Sequence, residues 1–152
     1  MKHILSVLVE NKSGVLSRVT GMISRRGFNT EDPTMSRLTA IVNADEVGYE
    51  QITKQLHKLV SVYKITDLTD EDAIERELAL FKVSALADRR HEIIEIANVF
   101  RANIVDVGKN SLTIEATGDE SKLEAMEDLF RAYGLKQLVR TGKIAMSRNS
   151  KD

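Results

Sequence analysis

The stretch that decides the fold is ILSVLVENKSGVLSRVTGMISRRG, residues 4–27. It opens on Ile4 to Glu10, a short, apolar, β-branched run that reads as a strand. Asn11-Lys12-Ser13-Gly14 is turn chemistry. From Val15 the period changes: Val15, Leu16, Val19, Met22 and Ile23 recur at helical spacing. Ser13 is placed to cap that helix. Its end is expected near Arg25-Arg26, with cations in the last turn and Gly27 as C-cap. The passage therefore reads strand, tight corner, helix.

The pattern continues outward. Thr30-Glu31-Asp32-Pro33 is a loop, and Met35 to Val42 a strand. Asn43-Ala44-Asp45 leads into a helix with Tyr49, Ile52, Leu56 and Leu59 on one face, and Val60 to Leu68 is mostly strand. The acidic Thr69-Asp70-Glu71-Asp72 marks a boundary, giving domains 1–70 and 71–152. The second half repeats the order. Glu77 to Ala85 is a strand. Asp88 is placed to cap a helix carrying Ile93, Ile96, Ala97 and Phe100. Asn103 to Val107 and Ser111 to Thr117 are strands around a Gly108-Lys109-Asn110 turn. Asp119 starts a helix with Leu123, Met126, Leu129, Phe130 and Tyr133 inward. Leu135 to Arg140 closes as a strand that Lys143 to Met146 extends past Gly142. The polar tail from Ser147 is expected to fray.

Each half is thus β-α-(β)-β-α-β, the split βαβ or ferredoxin-like order. The fold class is α+β: two ferredoxin-like (βαββαβ) domains in tandem, with antiparallel sheets. Both helices of such a domain lie on one face of its sheet. The other face needs cover, most simply from another copy of the sheet or another subunit. The halves differ at one point. The counterpart of Ile104 to Val107 belongs between Arg26 and Met35, where GFNTEDPT offers one large apolar side chain and a proline. A strand usually takes ~5–6 residues, and none is legible there.

Composition narrows the function classes. With 42% hydrophobic and 30% charged residues the chain has globular composition. A net charge of -1 gives no reason to expect nucleic acid or an anionic membrane. The absence of cysteine excludes disulfides, thiolate metal sites and thiol nucleophiles. The Ile4–Val9 run is too short for a signal peptide or a membrane span, so a cytoplasmic location is expected. Lean cores, with 5% aromatics and no Trp, favour oligomerisation. His3, His57 and His91 are scattered and form no recognised metal motif. No phosphate loop, nucleophile elbow or paired-acid motif stands out, so no catalytic residue and no metal ligand is assigned. An RNA-recognition domain shares the strand order but carries exposed aromatics on its central strands. Here those strands carry Val7, Val9, Leu38, Ile41, Leu112 and Ile114. Arg25-Arg26 and Arg89-Arg90 read as helix-end cations or partner contacts.

The functional candidate is the first strand–helix corner, Glu10 to Leu16, with Asn29. A helix N-terminus offers unpaired N–H groups that suit a carboxylate. Gly14 lets a ligand or a second backbone approach closely. Asn11 and Asn29 each offer a donor and an acceptor, suited to an ammonium and a carboxylate together. Val15 and Leu16 would flank a small apolar side chain. The constellation fits a free amino acid. The competing reading is that Asn11 to Gly14 is merely the turn that starts a helix.

The run HILSVLVENKSGVLSRVTGMISRRGFN resembles the N-terminal ACT domain of acetolactate (acetohydroxyacid) synthase small subunits. DPTMSRLT, QLHKLVSVYKITDL and ERELALFKV resemble later stretches of the same family, so the likeness spans nearly the whole chain. In that family, ACT domains pair side by side as a homodimer, and valine or a related branched-chain amino acid binds at the interface. By motif, Asn11, Gly14 and Asn29 would line that site. The resemblance implies a partner, a large catalytic subunit holding thiamine diphosphate, magnesium and FAD, and no cofactor on this chain. That partner condenses pyruvate with pyruvate or 2-oxobutyrate. The small subunit activates it and confers feedback inhibition. A stand-alone amino-acid-binding ACT protein and an amino-acid-metabolising enzyme remain the other classes.

One departure stands out. Members of the family carry a further strand-forming segment between the GFN and DPTMSR elements, the edge through which two ACT domains pair. This sequence lacks it. We read this as a flexible segment missing from the sequence rather than a deletion in the protein; a measured intact mass equal to the 17.0 kDa of this sequence would rule that reading out.

Overall fold

A computed structural model describes residues 2–10, 34–69 and 72–148, and the backbone of 24–28. The described elements are β1 (Lys2–Glu10), β2 (Ser24–Phe28), β3 (Met35–Asn43), α1 (Glu46–His57), β4 (Val62–Asp67), β5 (Ala73–Ser84), α2 (Arg90–Val99), β6 (Asn103–Val107), β7 (Ser111–Gly118), α3 (Glu120–Tyr133), β8 (Leu135–Arg140) and β9 (Ile144–Ser147). The helix expected from Val15 lies largely outside the described residues. Two sheets form, in the orders β2-β3-β1-β4 and β6-β7-β5-β8, with β9 pairing β5 off the second path. Neighbours in both paths run antiparallel. This is the expected mixed α+β, ferredoxin-like architecture. The chain separates into two compact units, Met1–Glu75 with Lys143–Asp152, and Arg76–Gly142.

In the first unit the alternate residues of β1 and β3 build the core: Leu5, Val7, Val9, Leu38, Ala40 and Val42, joined by Leu56 of α1. Asp45 caps α1, its side chain accepting from Gly48 N at 2.8 Å, as N-cap chemistry requires. At the far end of the sheet Tyr49 Oη donates to Asp67 Oδ2 at 2.6 Å. The Asp67 carboxylate also accepts from Thr69 N at 2.9 Å and from the Thr69 hydroxyl. Ile4 N in turn donates to Thr69 Oγ1 at 3.0 Å. His3 stacks on Tyr49 with ring centroids 3.9 Å apart. Its Nδ1 is buried, makes no hydrogen bond and lies 3.8 Å from Asp67 Oδ2. The cluster ties β1, α1 and β4 together.

The second unit has its own core, with Phe81 of β5 against Phe130 of α3, centroids 5.4 Å apart and edge-on. Asp119 caps α3 by accepting from Lys122 N at 2.9 Å. Gly134 ends that helix at φ 107°, a left-handed conformation suited to glycine. The carboxylate of buried Glu77 takes a two-pronged contact from Arg140, at 2.9 and 2.7 Å. A buried charge needs such a partner.

Several expectations are corrected. Ser24–Phe28 is not the end of the first helix with Gly27 as its cap. It is strand β2, paired to β3 from Ser24 opposite Ile41 to Phe28 opposite Leu38. An unpaired strand edge presents a row of backbone donors and acceptors, and β2 covers that of β3. Asp88 does not cap α2: Arg89 occupies the N-cap and makes no side-chain cap bond. Lys143–Met146 does continue past Gly142: after a break at 141–143, where Gly142 takes φ 86°, β9 pairs β5, the strand that β8 also pairs. Ser147 belongs to β9, and Arg148 Nε pairs with Asp72 at 3.0 Å. β5 begins at Ala73, before Glu77. Leu129 is exposed rather than inward, and the strand expected from Val60 begins at Val62.

Phe81→Ala is expected to lower the stability of the chain by ~3–5 kcal/mol, the usual cost of emptying a buried aromatic site. Urea unfolding checks this. A loss below about 1 kcal/mol would contradict the assigned core.

Candidate functional site

β1 and β2 flank β3, and both run antiparallel to it. They are therefore parallel to each other, and their C-terminal ends lie toward the start of β3. Glu10 sits opposite Met35 and Phe28 opposite Leu38, three positions along. On the other side of β1, Glu10 N donates to Ser61 O at 2.8 Å. The described residues that precede Asn11 and Asn29 thus finish at one end of one sheet. The five candidate residues themselves, Asn11, Gly14, Val15, Leu16 and Asn29, lie outside the described residues.

The opposite sheet face is polar at its centre. Arg37 Nη1 donates to Ser6 Oγ at 3.0 Å, and Ala145 N of β9 donates to buried Thr39 Oγ1 at 3.1 Å. Val7, Val9 and Leu38 point into the core, so a nucleic acid would meet the other face of the sheet. The outward positions are Ile4, Ser6 and Leu8 on β1, and Arg37, Thr39 and Ile41 on β3. On β5 and β7 they include Leu80, Lys82, Thr113 and Glu115. None is aromatic.

The Tyr49–Asp67 cluster escaped the sequence reading. Its residues are remote in sequence, and only the fold reveals the pairing. It stands at the end of β1 away from the corner. Burial works to raise the Asp67 pKa, but bonds from Thr69 and Tyr49, with His3 nearby, outweigh it and hold the carboxyl below its ordinary value. Burial, with the hydrogen bond to Asp67, raises the Tyr49 hydroxyl. Among the described residues no group of three His, Asp or Glu side chains converges as a metal site. No described helix is long and apolar enough to cross a membrane.

Two family models divide the sequence between them. The model described as "AHAS small subunit-like ACT domain" matches residues 5–64, and "Small subunit of acetolactate synthase" matches residues 76–149. The probable acetolactate synthase small subunit of Archaeoglobus fulgidus is 50% identical over 159 residues, covering 99% of each chain. The chain belongs to the acetolactate synthase small-subunit family. The small subunit of Mycobacterium bovis is 48% identical over 154 residues, covering 96% of this chain and 92% of the relative. The solved structure of the Thermotoga maritima small subunit superposes with a TM-score of 0.85 at 37% identity, covering 99% of each chain. The first unit is accordingly an ACT domain, and the protein a regulatory small subunit. The Archaeoglobus alignment is longer than the 152 residues here, so that relative carries at least seven residues without a counterpart in this chain.

Because the folded-state pKa of Asp67 is depressed, its contribution is present at neutral pH and lost as pH falls through that lowered value. Asp67→Asn is expected to lower the melting temperature at pH 7 and to weaken the fall in stability under acid. Parallel pH–stability curves for the two proteins would contradict this.

Proposed function

We propose that this small subunit senses valine, or a related branched-chain amino acid, at the corner formed by Asn11, Gly14, Val15, Leu16 and Asn29. The sensing domain is residues 1–70, and residues 71–152 form the second domain. The observation that carries the reading is the convergence of the ends of β1 and β2 beside the start of β3, directly before Asn11 and Asn29. Within that corner the N–H groups of the helix start would take the carboxylate. The two asparagines would hold the polar groups, and Val15 with Leu16 the side chain.

The site is completed by a second copy, so the effector lies between two ACT domains of a homodimer. The partner is the large catalytic subunit, which carries thiamine diphosphate, magnesium and FAD, while this chain carries no cofactor and no catalytic residue. The assembly works in the cytoplasm. The small subunit raises the activity of its partner, and bound valine withdraws that activity. The coupling is linkage: an effector that favours one interface geometry changes the affinity of the partner, and the partner changes effector affinity by the same factor. The residues that the Archaeoglobus relative has in surplus belong, on this reading, after Asn29, where the family carries its pairing edge.

Valine should raise the melting temperature of the chain more than leucine, isoleucine or an unrelated amino acid, since a ligand at 100 times its dissociation constant adds ~2.7 kcal/mol. No shift with any of them would mean that the corner is not competent in this chain. In the complex, Gly14→Asp and Asn29→His should abolish inhibition by valine and keep activation. Loss of activation in both variants would place these residues at the partner interface instead.

A further inference from the structure

In the second unit, β5 carries apolar side chains on both of its faces. Leu78-Ala79-Leu80-Phe81 is an unbroken apolar run. Alternation sends Ala79, Phe81 and Val83 into the core and leaves Leu78, Leu80 and Lys82 on the outer face. The helices α2 and α3 pack on the core side, through Ile93, Leu123, Met126 and Phe130. An antiparallel sheet with one wet face carries polar residues there, whereas an unbroken apolar run marks a strand covered on both faces. Leu80 is paired across to Val139 of β8. Leu78, Leu80 and Val139 are 37%, 38% and 52% exposed. They form one apolar patch on the outer face.

The charges beside this patch are opposite in sign and off its centre. Glu115 of β7 stands directly across from Leu80, and Lys82 lies two residues further along β5. Among the described residues neither takes part in an ion pair. Strands lie ~4.8 Å apart and rise ~3.4 Å per residue, so Lys82 and Glu115 are one diagonal step from each other with Leu80 at the angle between them. When two copies of a face stack about a two-fold axis, residue i meets j and j meets i. The axis that sets Lys82 of one copy over Glu115 of the other runs close to Leu80, so that Leu80 meets its own counterpart. The strands of the two copies then cross steeply, as in orthogonal sheet packing. One operation pairs both charges twice and covers the centre of the patch.

We propose that the outer face of the second sheet is an interface with a second copy of this chain, centred on Leu80 and keyed by Lys82 of each copy against Glu115 of the other. The inference is carried by the second unit alone and does not depend on the effector reading of the first.

The chain contains no cysteine, so single introduced cysteines report the contact in the full chain. Sheets packed face to face stand ~10 Å apart, within reach of a short bismaleimide. Leu80→Cys should cross-link to a covalent dimer, and Ala125→Cys, on the exposed side of α3, should not. Adding Lys82→Glu to Leu80→Cys should lower the yield several-fold, and adding Glu115→Lys to that pair should restore it. If Lys82→Glu does not fold, Glu115→Lys with Leu80→Cys decides, with the same loss expected. No dimer from Leu80→Cys overturns the proposal, as does an equal yield from Ala125→Cys. A yield that charge reversal leaves unchanged, or that the double reversal does not restore, overturns the pairing of Lys82 with Glu115. Leu80→Cys that gives no cross-link and is shielded from maleimide by the purified catalytic subunit assigns the face to that subunit and overturns the contact between copies.

Discussion

The constraint on which the structure depends is the double pairing of the first strand in each sheet. β1 is hydrogen-bonded to β3 on one side and β4 on the other, and β5 to β7 and β8 likewise. A strand paired on both edges has no freedom of register, because a one-residue slip would turn its core set outward. Leu5, Val7 and Val9, or Ala79, Phe81 and Val83, are fully buried on that condition. The same pairing fixes where each strand ends. Glu10 and Ser84 both end opposite the start of the third strand of their sheet.

Much of this was legible because the two periods are distinct. β1 and β5 read as strands, and the later helices read from their apolar spacing and their capping aspartates, Asp45 and Asp119. Lys82, which has no sequence rationale in an apolar run, is explained by alternation. It faces outward, opposite Thr113 and Gln137, between the buried Phe81 and Val83. Residues 144–147 continue along β5 beyond β8, as read, with only the left-handed turn at Gly142 dividing the two strands. The misreadings share a physical cause. Ser24–Phe28 has helix-end composition, and only the demand of β3 for an edge partner makes it a strand. Asp88 looks like a cap, yet the chain enters α2 one residue later. In each case tertiary pairing overrides local preference. The candidate corner was legible as residue chemistry, and the strand ends beside it add the topology.

The two units share one frame of strand pairing. The bulge before the end of β1 recurs in β5, so the two first strands match up to Glu10 and Ser84. Beyond Ser84, Arg90 Nη2 donates to Ala85 O at 3.1 Å, to Gly108 O at 2.8 Å and to Lys109 O at 2.7 Å. Membership of the acetolactate synthase small-subunit family gives the first unit the character of an ACT domain.

The most direct measurement is acetolactate formation by the purified catalytic subunit, titrated with this chain in the presence and absence of valine. The account predicts that activity rises as the chain is added and that valine removes the rise. Activity that does not respond to the chain, or a rise that valine leaves untouched, would contradict it.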